Sequence, residues 1–379
     1  VVAQSGASEV LEVPPGLAGT GPEGYAVVVA SETEVLGLGG VDPTTIGTDR
    51  PVLRREALLV DQETGAGRTV PYPRVDGHLV NLQGAAGTAD GFIAVGTVCA
   101  AEVVDEDGAG CGRGRPALVT LEAGSERWTL DERGRALQEI DLASVWHIDV
   151  GPRGEVALGI GAHREDGFAF QTVLIDPKGG AVRADAPEDV SQACLTDAAF
   201  YVLSRSTSDA DPEASTTTFE LHRLSLEDGR STQVVLPALD GQFGGVSVRL
   251  ACTADAPVLT SSPESGTEHL YLAAGSGWTE VDGVFTEPGV QLATDLLGGP
   301  RGVVLQTTAL DPADGSSSSA TRSVRVPDGE TTALDLPVDS RLVLAPDGTR
   351  AIAVSGPDDA ESTRGDPSPG AMRIVEVPS

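Results

Sequence analysis

Pro346-Asp-Gly-Thr-Arg-Ala-Ile-Ala-Val354 is a polar turn that runs straight into a short apolar segment, and the same phrase returns along the 379-residue chain. Other copies are Gly21-Pro-Glu-Gly-Tyr-Ala-Val-Val-Val29, Thr88-Ala-Asp-Gly-Phe-Ile-Ala-Val95, Gly151-Pro-Arg-Gly-Glu-Val-Ala-Leu158, Thr196-Asp-Ala-Ala-Phe-Tyr-Val-Leu203, Thr253-Ala-Asp-Ala-Pro-Val-Leu259 and Gly299-Pro-Arg-Gly-Val-Val-Leu305. The seven copies begin about 45 to 67 residues apart. Self-similarity at such a period marks a repeat architecture, in which each unit buries its apolar faces against its neighbours.

Each copy has the same sequel. An insertion rich in Asp, Ser, Gly and Pro leads to an alternating strand, as in Ala117-Leu-Val-Thr-Leu121, Phe170-Gln-Thr-Val-Leu-Ile175, Phe219-Glu-Leu-His-Arg-Leu224, Leu270-Tyr-Leu272 and Met372-Arg-Ile-Val-Glu-Val377. A short fourth strand closes the unit, as in Arg127-Trp-Thr-Leu130, Thr232-Gln-Val-Val-Leu236 and Thr332-Ala-Leu-Asp-Leu336. Seven such units predict an all-β chain, a single seven-bladed β-propeller over residues 1–379 with four-stranded antiparallel blades. The last unit, 338–379, runs out of chain before its fourth strand, while Ser8-Glu-Val-Leu-Glu-Val13 alternates like a strand but has no unit of its own. The two deficits predict that residues 8–13 complete the last blade, joining the chain's two ends and removing an open sheet edge. Helices have no competing claim, because Pro and Gly punctuate almost every window.

The phrase Leu344-Ala-Pro-Asp-Gly-Thr-Arg-Ala-Ile-Ala-Val354 resembles the inner turn of WD-repeat-like and TolB-like propellers, where Pro-Asp-Gly joins the first two strands of a blade. The resemblance extends in degraded form over nearly the whole chain. What it implies is structural, since that turn recurs in propellers of many functions. The paired Gly-His and Trp-Asp signatures of true WD repeats are absent, so the resemblance points to no one functional family.

Composition narrows the partners. With 25 basic and 57 acidic residues the formal charge is −32, a field that repels phosphate backbones and anionic lipid surfaces over a Debye length of about 8 Å. Nucleic acid and bare membrane are therefore poor candidate partners, and no apolar run of about eighteen residues offers a transmembrane helix. Lys178 stands alone beside two dozen arginines and Asn81 is the single asparagine, a bias expected of GC-rich bacterial coding. Four cysteines in such a chain read as two bridges. Cys99 and Cys111 flank the acidic, Gly-rich stretch 100–110, and Cys194 and Cys252 occupy the same place in consecutive repeats, so the expected pairs are Cys99–Cys111 and Cys194–Cys252. Disulfides persist outside the cytosol, which predicts a secreted or cell-surface protein, with a lipid anchor upstream of Val1 as one means of tethering.

Sites of chemistry are sparse in the sequence. There is no G-x-S-x-G elbow and no H-E-x-x-H pair. Val145-Trp-His-Ile-Asp149 reads as an inner strand that puts His147 and Asp149 on one side, so His147, Asp149 and the neighbouring Trp146 form a candidate ligand site at the axial channel. The alternation Asp209, Asp211, Glu213 resembles the opening of a calcium loop without its turn glycine or distal Glu, and is the candidate Ca²⁺ site. The insertions Ser31–Arg54, Ala100–Arg115, Arg205–Thr218, Ala309–Ala320 and Gly356–Gly370 are all expected to join second to third strands, and so to rise from one face. The leading expectation is a monomeric, non-catalytic propeller that binds a protein or glycan at the cell envelope through that face. The alternatives are an exported hydrolase, lyase or lactonase working at the channel mouth, and a propeller domain of a larger protein.

Overall fold

The computed structural model describes residues 10–14, 17, 25–40, 54–99, 114–164, 167–185, 190–208, 216–237, 247–262, 268–275, 277–285, 290–310, 317–326, 328–337, 340–355 and 370–378. Strand β1 (Val10–Val13) precedes the first blade, which is β2 (Val27–Ala30), β3 (Glu34–Leu38), β4 (Glu56–Asp61) and β5 (Gly67–Pro71). The second blade comprises β6 (Arg74–Val75), β7 (His78–Thr88), β8 (Gly91–Val98), β9 (Arg115–Glu122) and β10 (Thr129–Leu130), followed by a 3-10 helix at Glu132–Leu137. Next come β11 (Asp141–Val150), β12 (Val156–Arg164), β13 (Gly167–Ile175) and β14 (Ala181–Asp185), then β15 (Val190–Leu195), β16 (Ala199–Ser208), β17 (Thr216–Ser225) and β18 (Ser231–Val234). The fifth blade is β19 (Ser247–Cys252), β20 (Pro257–Ser262), β21 (His269–Ala274) and β22 (Gly277–Glu280), and the sixth β23 (Val290–Gly299), β24 (Gly302–Leu310), β25 (Ser317–Arg325) and β26 (Thr331–Leu334). The seventh is β27 (Arg341–Leu344), β28 (Arg350–Ser355) and β29 (Gly370–Glu376), with β1 as its outer strand.

Every blade is an antiparallel meander, and the alternation of side chains along each strand sends successive residues to opposite neighbours. On β28, Ala351 and Ala353 pack toward the sixth blade while Ile352 and Val354 pack toward the first. The consequence is one apolar cluster at each junction between blades, seven in all, the last of them joining the seventh blade to the first. That last cluster contains Val13, Met372 and Ile352 beside Tyr25, Val28 and Val35, so the ring is closed. Leu59 is fully buried in the first junction, and truncating such a side chain to Ala costs about 2–5 kcal/mol. The pairing Val10–Arg373 to Val13–Gly370 ties the two ends of the chain into one sheet.

The structure redraws some boundaries. In the first blade the apolar run of Gly21–Val29 ends in the inner strand β2, not in the second strand, and the true inner turn is Ser31-Glu-Thr-Glu34, closed by a Ser31 N–H to Glu34 carbonyl bond of 2.8 Å. The copy was thus one strand out of phase, because the fully buried β3 (Glu-Val-Leu-Gly-Leu) lies inside the span taken as an insertion. The connection itself starts at Gly39. Segments 205–208, 216–218, 309–310 and 317–320 belong to long second and third strands, since Ser and Thr pair in a ladder as readily as apolar residues do. All seven second-to-third connections leave from the same end of their blades, as antiparallel order requires. The fifth strand of the second blade, β6, comes from a hairpin whose Asp76 and Gly77 both have positive φ, 52° and 83°, the left-handed pair that a two-residue turn demands.

Candidate functional site

The inner strands β2, β7, β11, β15, β19, β23 and β27 surround the axis, and their ends and inner turns enclose a cavity of about 620 Å³ to which all seven blades contribute. Its wall is mostly small: Ala30, Ala86, Gly87, Gly151, Gly298 and Ala345 are among the lining residues. Gly87 and Gly298 are small for a reason, because a Cβ there would sit 1.7 Å from the Ala30 carbonyl oxygen and 2.0 Å from that of Cys252. At these two positions neighbouring inner strands approach too closely for a side chain. This cavity opens on the face of the short inner turns, opposite the face from which the second-to-third connections leave.

Asp149 and Asp197 both line the cavity. His147, two residues before Asp149 on β11, points the same way, and its Nε2 lies 3.0 Å from Asp149 Oδ2. The imidazole is stacked on Phe200 of the next blade at 5.6 Å between centroids, which fixes the ring that holds the carboxylate. Trp146 is not in the cavity. The ladder between β11 and β12 slips between Val145 and His147, so Trp146 is the extra residue of a bulge, and its ring lies directly over Gly159, where a Cβ would meet it at 2.3 Å. Its indole nitrogen is buried without a hydrogen-bond partner among the described residues. Of the three candidate ligand residues, the structure brings His147 and Asp149 together and places Trp146 in the packing between the third and fourth blades.

A second polar arrangement was not anticipated. Counting four residues back from the first residue of each inner turn (Ser31, Thr88, Gly151, Thr196, Thr253, Gly299, Ala345) gives Val27, Gly84, His147, Gln192, Arg249, Asp295 and Arg341. These share one level along the inner strands; Gln192, Arg249 and Arg341 reach to the following blade, whereas His147 pairs with Asp149 and Asp295 accepts from the Leu296 N–H within their own strands. Gln192 Oε1 accepts from the Leu250 N–H. Arg249 Nε donates to the Ala293 carbonyl at 2.8 Å. Arg341 donates from Nη1 and Nη2 to the carbonyls of Tyr25 and Ala26, both at 2.7 Å. Asp295 lies between the two arginines in the ring. Burial raises its carboxyl above the usual range, against the opposing pull of the Leu296 N–H and of Arg249 and Arg341. Burial likewise lowers the Arg341 guanidinium, with Asp295 opposing it. In four blades the residue just before this level, Gln83, Trp146, Ser191 or Thr294, is a bulge, and the Ala293 carbonyl that receives Arg249 adjoins one of them. The fixed spacing from the turn was the signal that could have revealed the belt.

Cys194 on β15 and Cys252 on β19 form a disulfide across 58 residues, joining neighbouring inner strands. Cys99 is also disulfide-bonded, and Cys111 lies outside the described residues, as do Asp209, Asp211 and Glu213. Among the described residues no three His, Cys, Asp or Glu side chains are gathered to hold a metal ion, and no helix is long and apolar enough to cross a membrane.

No protein-family model matches the chain, and no curated protein matches it. Solved structures do. The β-propeller domain of the Trilobed protease from Pyrococcus furiosus, which has an open velcro topology, superposes with a TM-score of 0.52 at 10% identity over 87% of this chain and 90% of that one. A Pyrococcus horikoshii acylaminoacyl peptidase gives 0.52 at 10% identity over 87% of this chain but 48% of that one, so this chain spans about half its length. The polysaccharide lyase Uly1 gives 0.50 at 8% identity over 93% and 90%. At identities this low the likeness is one of fold alone, and it agrees with the strand pairing and the seven junctions: the chain is a seven-bladed β-propeller.

Proposed function

We propose that this propeller is a non-catalytic binding protein, exported or held at the cell surface, that engages a protein or glycan through the face bearing its second-to-third connections. The observation that carries this reading is the acidity of the segments that link second to third strands. The segments 41–53, 100–113, 165–166, 209–215, 263–267, 311–316 and 356–369 contain eighteen Asp and Glu against three Arg, nearly half of the chain's net charge, and each joins a second to a third strand. Connections displayed on a rigid scaffold are where binding residues concentrate. The Cys194–Cys252 bridge supports an oxidising compartment. To test the reading, cell-envelope protein and glycan fractions are passed over the intact chain and over a variant with 209–215 and 356–369 replaced by short Gly-Ser turns. Capture that survives the replacement overturns it.

A second reading, an exported hydrolase, lyase or lactonase, draws its support from the His147–Asp149 pair beside the axial cavity, where an imidazole oriented by a carboxylate is suited to proton transfer. Turnover of ester, lactone or uronate substrates that is lost in His147→Gln and kept in the shortened variant would favour it. The 48% coverage of the horikoshii peptidase is compatible with a third, in which the propeller is one domain of a longer chain.

A further inference from the structure

The third blade differs from the rest on the connection-bearing face. Its second and third strands, β12 and β13, are joined by only residues 165 and 166, so the ladder runs to the tip, pairing His163 with Phe168 and Gly161 with Phe170. At that tip Phe168 is 51% exposed. It packs edge-on against Phe170 at 5.1 Å and against His163 at 5.9 Å between ring centroids. Beneath it is Gly161, where a Cβ would meet the Phe168 ring at 2.3 Å, so the ring is seated on backbone while half of it stays in solvent. The chain has only seven phenylalanines, and leaving half of one in water gives up part of the ~1.5–3 kcal/mol its full burial would contribute to folding. Exposed aromatic anchors rimmed by polar groups are the usual centres of protein interfaces.

We infer that Phe168, backed by Phe170 and His163, is the apolar anchor point of the proposed binding face, and that the partner is a basic polypeptide presenting a large apolar side chain among Lys and Arg residues. This rests on the reading of that face as the binding surface. The polypeptide is favoured over a glycan by charge: Glu165 and Asp166 stand next to the pair of strands in sequence and the chain as a whole carries −32, which rewards a cationic partner and gives a neutral sugar nothing.

The test uses a phage-displayed peptide library selected on the intact chain, followed by affinity measurement of the enriched peptides. Enriched peptides should combine at least two Lys or Arg with one large apolar residue. Phe168→Ala should weaken their binding about tenfold or more with only a small fall in the melting temperature, because half of the side chain is in solvent, and Phe168→Leu, which keeps apolar packing on Gly161, should also lose binding. No enrichment, enrichment of peptides lacking basic residues, or binding to Phe168→Ala within twofold of the parent overturns the inference. So does a glycan array in which Phe168-dependent binding goes to neutral sugars. The shortened variant separates the two readings: peptides that need the connections but not Phe168 leave the binding face standing without its anchor, and peptides that need Phe168 alone leave the anchor without the face.

Discussion

Asp295 shows how a single residue can run against the general trend of carboxylates. Its folded-state proton affinity is raised, chiefly by burial, so between the ordinary carboxylate range and that raised value the unfolded chain gives up its proton first. Stability from this group is therefore complete at low pH and is lost as pH rises through the folded value. Asp295→Asn removes the loss: thermal unfolding should show the variant more stable than the parent at pH 7 and indistinguishable from it near pH 3.5. A variant that melts lower at pH 7 would mean that the carboxylate's attraction to Arg249 and Arg341 outweighs its desolvation. Nothing about residue 295 in isolation marks it. His147 and Asp149 were legible because they lie two apart on a recognisable strand, whereas Asp295 acquires its environment from arginines 46 residues away in either direction.

At the scale of elements, the same four-stranded meander is closed by different fastenings. Between the fourth and fifth blades it is covalent. Replacing Cys194 and Cys252 together by Ala should lower unfolding free energy by about 4 kcal/mol, the loop-closure value for a 58-residue separation, and urea titration under oxidising conditions measures it. Between the seventh and first blades the fastening is Arg341 on two main-chain carbonyls together with Arg350 on the Glu32 carbonyl. Bonds from a charged donor contribute about 1.5–3 kcal/mol each, so Arg341→Met should rank among the more destabilising single changes by thermal melt. Deleting residues 1–13 removes β1 and bares the edge of β29; the expected result is a lower melting temperature and self-association in sedimentation, since an unpaired strand edge recruits another. Strand order was readable from the repeat, but the first blade was read out of phase. Its inner turn, Ser31-Glu-Thr-Glu34, contains none of the Asp, Gly and Pro residues of which every other inner turn has at least one, and Ser31 closes it through its own hydroxyl, which accepts the Glu34 N–H at 2.9 Å.

For the whole molecule the net charge of −32 and its uneven placement set the terms of association. Binding of a cationic partner to the connection-bearing face should accelerate as salt is lowered, with association rates falling several-fold between 50 and 300 mM NaCl while dissociation changes little; surface plasmon resonance with a selected basic peptide measures both. Salt-independent association would remove charge steering from the account. The cavity of about 620 Å³ lies at the end of the inner strands that bears the inner turns, opposite the end at which the second strands finish.

The sequence by itself determined the number of blades, their strand order, the pairing of residues 10–13 with the last blade, and the disulfide between equivalent cysteines of consecutive repeats. Those follow from local alternation, turn chemistry and period, which each segment carries on its own. Only the tertiary structure decided that Trp146 is packed away on Gly159, that the axial cavity lies at the inner turns, and that Gln192, Arg249, Asp295 and Arg341 form a belt. Such facts depend on which side chains meet across the junctions between blades, and that is set by the bulges and the closure of the ring rather than by any one segment.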